Sequence, residues 1–143
     1  MLAIDFGTRT LGVAVGDTET RIAHPLGLIE GEANALRFAG LAALLAEWQP
    51  ARLVVGLPLA MDGSEHDLTR RARRFARQLE ARYALPVALA DERLSSASAE
   101  AMLRDAGRGA RKHKHESHAL AACVFLQAWL DEQPCGTMKA ADD

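Results

Sequence analysis

Cysteine is scarce in this 143-residue chain, present only as Cys123 and Cys135. The pair has no metal-type spacing, and Cys123 sits in an apolar helical run. A disulfide framework is excluded, and a reduced, cytoplasmic protein is expected. An excess of either charge is also missing: 17 Lys and Arg face 19 Asp and Glu, a net charge of −2. Nothing global marks the chain as basic, so any nucleic-acid surface must be a local patch. No apolar run reaches the length that spans a bilayer, and no membrane partner is expected. The chain opens directly in a strand-like run, with no charged n-region and apolar h-region, so no signal peptide is expected. Internal repeats and low-complexity segments are lacking too. What remains is one domain large enough for a real core, over 1–132, with a disordered tail over 133–143.

The apolar spacing organises that domain. Leu2 and Ile4, then Leu11, Val13 and Val15, alternate with period two. With a further run, they predict strands near 2–6, 11–16 and 21–29, joined by Gly- and Asp-bearing turns as an antiparallel meander. From Asn34 to Trp48 the period becomes helical, and Gln49-Pro50 ends the helix. The runs 52–56 and 86–90 read as short strands buried on both faces, as in a parallel sheet. Helices are predicted over 64–83, 96–105 and 117–131. The fold class is α/β: a mixed five-stranded sheet, three meander strands plus two parallel ones, flanked by helices. In such sheets ligands bind beyond the carboxyl ends of the strands, where Asp5, Pro58 and Glu92 fall.

Asp5 is an acid on a core strand, and desolvating it is costly unless something offsets the charge. Asp5 and Glu92 would converge and repel, which a hard divalent cation relieves. The competing reading makes Asp5 a turn cap and pairs Glu92 with Arg93. His118, opening the last helix, can ligate a metal or act as an acid–base group, with Glu116 just before it. Alternatively His118 is a half-buried helix residue, and Glu116 complements the helix dipole. Arg104, Arg108, Arg111, Lys112, His113, Lys114 and His115 form a basic loop suited to phosphates. Arg70, Arg71, Arg73, Arg74 and Arg77 read as the solvated face of an amphipathic helix. Gly7, Thr8 and Arg9 form a turn able to offer donors to a phosphate. Gly56, Pro58 and Gly63 read as loop-shaping residues.

Four segments in order resemble one family: IDFGTRTLGVAVGD (4–17), VVGLPLAMDGSE (54–65), PVALADERLSS (86–96) and ESHALAACVFLQAWL (116–130). They are similar to the YqgF (RuvX) family of bacterial RNase H-like nucleases, described as pre-16S rRNA nucleases and Holliday junction resolvases. The resemblance implies an RNase H-like sheet and a two-metal nuclease site using Mg²⁺ or Mn²⁺. It places Asp5 and Glu92 at two of the family's acidic positions. Where the family has an aspartate opening the last helix, an alignment on the FLQ segment puts His118, and Glu116 is the nearby acid. A nitrogen ligand there shifts the expectation toward Mn²⁺.

The favoured expectation is a metal-dependent endonuclease in ribosome biogenesis, maturing the 5′ end of pre-16S rRNA and leaving 5′-phosphate and 3′-hydroxyl ends. Its catalytic residues are Asp5, Glu92 and His118, with Glu116 as a further metal ligand. Thr8, Arg9, Arg93, Arg108, Arg111, Lys112 and Lys114 would bind nucleic acid. The alternatives are a Holliday junction resolvase acting on branched DNA, or a non-catalytic module in ribosome assembly. An actin-like ATPase is disfavoured because that group closes two such domains around its nucleotide. Monomer and homodimer both stay open.

Overall fold

In the computed structural model, residues 1–7, 9–31, 33–60, 62–92, 101–102, 104–105 and 117–133 are described. Strands β1 (Leu2–Phe6), β2 (Thr10–Asp17) and β3 (Ile22–Glu30) form the antiparallel meander. Helix α1 (Asn34–Trp48), strand β4 (Leu53–Leu57), helix α2 (Asp67–Tyr83), strand β5 (Val87–Asp91) and helix α3 (Ser117–Glu132) follow. The sheet runs β3-β2-β1-β4-β5, with β1–β4 and β4–β5 parallel. The mixed five-stranded sheet is therefore present as expected.

Period-two alternation sorts side chains onto the two sheet faces. Leu2, Ile4, Phe6, Leu11, Val13, Leu53, Val55 and Leu57 meet Phe38, Leu41, Ala72, Phe75, Ala76 and Leu79 of α1 and α2. The other face carries Ala3, Ala14, Ala23, Val54 and Ala90, and packs Ala122, Cys123, Phe125, Leu126 and Leu130 of α3. Burying a large aliphatic or aromatic side chain contributes about 1.5–3 kcal/mol, so the first face carries most of the stabilisation. The far end of α3 is anchored by Gln127: its Oε1 accepts from Ala23 N–H at 2.9 Å, and its Nε2 donates to Arg21 O at 2.9 Å.

Two local expectations are corrected. β5 is an edge strand rather than one buried on both faces, and Leu89 is 39% exposed. An apolar run of that length reads alike at an edge and in a sheet interior. α2 starts at Asp67, not at residue 64. Ser64 is held in a turn by Asp62, whose Oδ1 accepts its N–H at 2.9 Å and its hydroxyl at 2.6 Å. The Thr69 hydroxyl then accepts from His66 N–H at 3.2 Å, satisfying a donor at the helix start. Of the helix expected over 96–105, residues 101–102 and 104–105 are helical, and the rest lies outside the described residues. The expected tail beyond 133 does as well. Among the described residues no helix is long and apolar enough to cross a membrane.

Candidate active site

Asp5 is the fourth residue of β1 and shares a face with Ala3, so its carboxylate points toward α3. Its cross-strand partner is Gly12. A Cβ on Gly12 would lie 2.1 Å from the carbonyl oxygen of His118 and 2.7 Å from the nitrogen of Ala119. Only a bare backbone lets the start of α3 come this close. The approach brings His118 Nδ1 to 3.0 Å from Asp5 Oδ2, with the Asp5 side chain 10% exposed and the His118 side chain 46% exposed.

Glu92 reaches the same place from the end of β5, with its N–H donating to Leu57 O at 3.2 Å. Its Oε1 is buried and has no hydrogen-bond partner among the described residues. A Cβ on Gly56 would lie 2.8 Å from that oxygen and 2.7 Å from Phe125 Cε2. Gly56 thus does more than shape a loop: inside β4, its missing side chain is the space Glu92 and Phe125 occupy. Burial pushes the Glu92 carboxyl far above its ordinary value, to about 9, and the neighbouring carboxyl groups of Asp5 and Asp91 add to the rise. Asp5 adds by hydrogen bonding to the protonated form as well as by its charge. Two acids on one sheet face therefore hold a proton in place of a second negative charge.

Asp5, Glu92 and His118, singled out from sequence, are thus brought to one edge. Among the described residues, no three His, Cys, Asp or Glu side chains are already grouped to hold a metal. The donor chemistry still fits a hard cation: a buried carboxyl oxygen without a partner lies beside a second acid, and burial first, with that acid's help, disfavours its charge unless a cation offsets it. Thr8, Arg93, Arg108, Arg111, Lys112, Lys114 and Glu116 lie outside the described residues. Arg9 is exposed, and its carbonyl accepts from Gly31 N–H at 2.8 Å.

Arg37 was not anticipated. It is buried, its Nη2 donates to Gly7 O at 2.7 Å, and its Nε donates to Gly31 O at 2.9 Å. It ties the turn after β1 to the end of β3, and so braces the backbone beside Asp5. Its place one turn before Leu41, on the apolar stripe of α1, was the available signal. A groove between α1 and α2, lined by Phe38, Ala42, Arg82 and Tyr83, lies on the sheet face away from Asp5.

Comparison with known proteins speaks to the family and the fold. The family model for RuvX, described as Holliday junction resolvase, matches residues 1–132. A protein of Dechloromonas aromatica (strain RCB) named "Putative pre-16S rRNA nuclease" is 49% identical over 131 residues, spanning 92% of this chain and 90% of its own. One of the same name from Methylobacillus flagellatus is 50% identical over 131 residues, with the same 92% and 90% coverage. Among solved structures, Thermus thermophilus RuvC in complex with a Holliday junction substrate superposes with a TM-score of 0.59 at 17% identity. That superposition covers 90% of this chain and 91% of the RuvC chain. A likeness at that identity speaks for the fold, which is RNase H-like. With the family model spanning nearly the whole chain and relatives at about half identity, this protein belongs to the RuvX family.

Proposed function

We propose that this chain is a divalent-metal-dependent endonuclease that hydrolyses phosphodiester bonds in structured nucleic acid, acting in 5′-end maturation of pre-16S rRNA. The observation that carries the reading is the buried, partnerless Oε1 of Glu92 beside Asp5. A fold gains nothing from such an arrangement, and a hard cation satisfies it. Asp5 and Glu92 would hold the ion, Mg²⁺ or Mn²⁺, with two ions expected by the family resemblance. When bound, it supplies Lewis acidity toward the phosphodiester.

The chain's own residues set up the rest. To hold a cation Glu92 would have to lose the proton that burial and Asp5 favour, so binding would be coupled to release of that proton. Asp5 Oδ2 accepts a hydrogen bond from His118 Nδ1–H, which fixes the ring and leaves the lone pair on Nε2. His118 Nε2 is then the base that takes a proton from the attacking water, or a ligand in its own right. Cleavage leaves 5′-phosphate and 3′-hydroxyl ends.

The rRNA substrate is preferred because the relatives at 44–50% identity carry that name. Junction resolution is the second reading, supported by the description of the matching family model. The test offers purified protein a pre-16S rRNA 5′ leader and a four-way DNA junction side by side, with Mn²⁺, Mg²⁺ or chelator. Divalent-dependent cleavage of the leader, lost in Glu92→Gln, is expected. Preferential junction cleavage selects the second reading. Cleavage of neither substrate with either ion overturns both.

A further inference from the structure

The arginines of α2 read from sequence as a solvated helix face. Their charge balance and partners point elsewhere. α2 holds Arg70, Arg71, Arg73, Arg74, Arg77 and Arg82 against Asp67 and Glu80, a net +4 in a chain whose total is −2. A helix face that is merely solvated interleaves opposite charges three or four residues apart. Here three of the six arginines are engaged. Arg73 makes a forked pair with Glu65, at 2.8 Å from Nε and 3.1 Å from Nη2. The guanidinium carbon of Arg82 lies 4.1 Å from the Phe38 ring centroid, and that of Arg71 lies 6.0 Å from Phe6. Arg70, Arg74 and Arg77 are exposed and make no hydrogen bond or ion pair among the described residues, although Arg70 acts on Glu65 through its field.

Steps of four and three place Arg70, Arg74 and Arg77 on one stripe, opposite the buried Ala72, Phe75, Ala76 and Leu79. The stripe is about 10 Å long. Two terms oppose building it. Like charges at these spacings repel along the helix. The arginines also begin in the N-terminal half, where the helix dipole disfavours cations. An anion lying along the stripe relieves the mutual repulsion. The first turn of α2 is tied to the site edge: the Thr69 hydroxyl donates to Pro58 O just beyond β4, and Arg71 lies over Phe6, which follows Asp5. Yet α2 covers the sheet face away from the carboxylates.

We infer that Arg70, Arg74 and Arg77 form a second phosphate-binding surface that grips the backbone of a duplex arm of the substrate, on the opposite side of the sheet from Asp5 and Glu92. The inference rests on the nuclease reading and narrows its substrate to nucleic acid with a double-stranded arm. A single strand passing Asp5 alone has no need of this surface, whereas a duplex arm crossing the sheet edge brings further phosphates to it. Guanidinium forks suit phosphate oxygens better than ammonium groups do.

The test compares wild type, R70Q/R74Q/R77Q and R70K/R74K/R77K. Affinity for duplex DNA and duplex RNA of equal length is measured against salt concentration, with chelator present. The Gln variant should lower the log–log slope on DNA by about 2.7, at about 0.9 for each of three phosphate contacts. Its melting midpoint should stay level or rise, because repulsion is removed. The Lys variant should keep the slope. A loss on only one duplex assigns the stripe to that duplex. An unchanged slope on both overturns the inference, as does a fall in the Gln midpoint that the Lys variant reverses without any change in slope. If wild type shows divalent-dependent cleavage but no stripe dependence, this inference alone fails. If wild type neither cleaves nor binds, the nuclease reading fails with it.

Discussion

The two faces of the sheet use side-chain volume in opposite ways. Toward α1 and α2 the strands present Leu2, Ile4, Phe6, Leu11, Val13, Val55 and Leu57. Toward α3 they present Ala3, Gly12, Ala14, Gly16, Gly56 and Ala90. Bulk on the first face buries area and stabilises. Small residues on the second let α3 settle close enough for His118 to reach Asp5, and leave room for Glu92 beside Phe125. The comparison teaches that the site is made partly by removing atoms: two glycines in strand interiors give up packing so that polar groups can meet.

Substitutions on each face should separate the two roles. The largest effect is expected from Asp5→Asn, which keeps shape but removes the charge proposed to hold the ion. Cleavage should fall on the order of 10²–10³-fold or more, as for loss of one group that stabilises developing charge. In chelator its melting midpoint should exceed that of wild type, since a buried charge is gone. Wild-type cleavage rates would remove Asp5 from the site.

Ile4→Ala, one residue earlier on the opposite face, should cost about 2–5 kcal/mol in denaturant unfolding. At a temperature where it stays folded, its cleavage rate should match wild type. A rate loss as large as that of Asp5→Asn would break the division between the faces. Gly12→Ala should cross the two roles. Its Cβ meets backbone atoms of His118, so about 1–3 kcal/mol of stability and most of the activity should go together. An active, fully stable Gly12→Ala would show that the close approach of α3 is not needed.

A pH trend tests the polar side of the same comparison. The folded protein binds the Glu92 proton more tightly than the unfolded chain, with values of about 9 against 4.5. The resulting stabilisation is complete below pH 4.5 and is lost as pH rises toward 9. Metal-free wild type should therefore melt lower as pH is raised through this window, and Glu92→Gln should flatten the trend. A wild-type melt independent of pH would place the Glu92 carboxyl in water.

Much of this was readable in advance because strand and helix periods are set by local side chains. Leu2 and Ile4, or Phe38 and Leu41, carry their own spacing. Asp5 stood out because an acid in such a run needs a partner. What escaped depends on distant neighbours. That β5 lies at an edge is decided by what pairs with it, not by Val87 or Leu89 themselves. Gly56 gains its meaning from Glu92 and Phe125, far along the chain. The spacing of Arg37 from Leu41 sets it on the apolar stripe of α1, but only the carbonyls of Gly7 and Gly31 show it to be a brace.

The bond between Asp5 and His118 joins residues 113 positions apart. Its consequence concerns the growing chain. At synthesis rates of about 5–20 residues per second, roughly 6 to 23 s pass between making the two. Through that interval the glycine- and alanine-lined face has no helix to cover it, and the histidine does not yet exist. On the nuclease reading, a nascent chain shorter than 118 residues carries the carboxylate of Asp5 without its histidine partner, so cleavage is expected only after residue 118 has been added and α3 has docked.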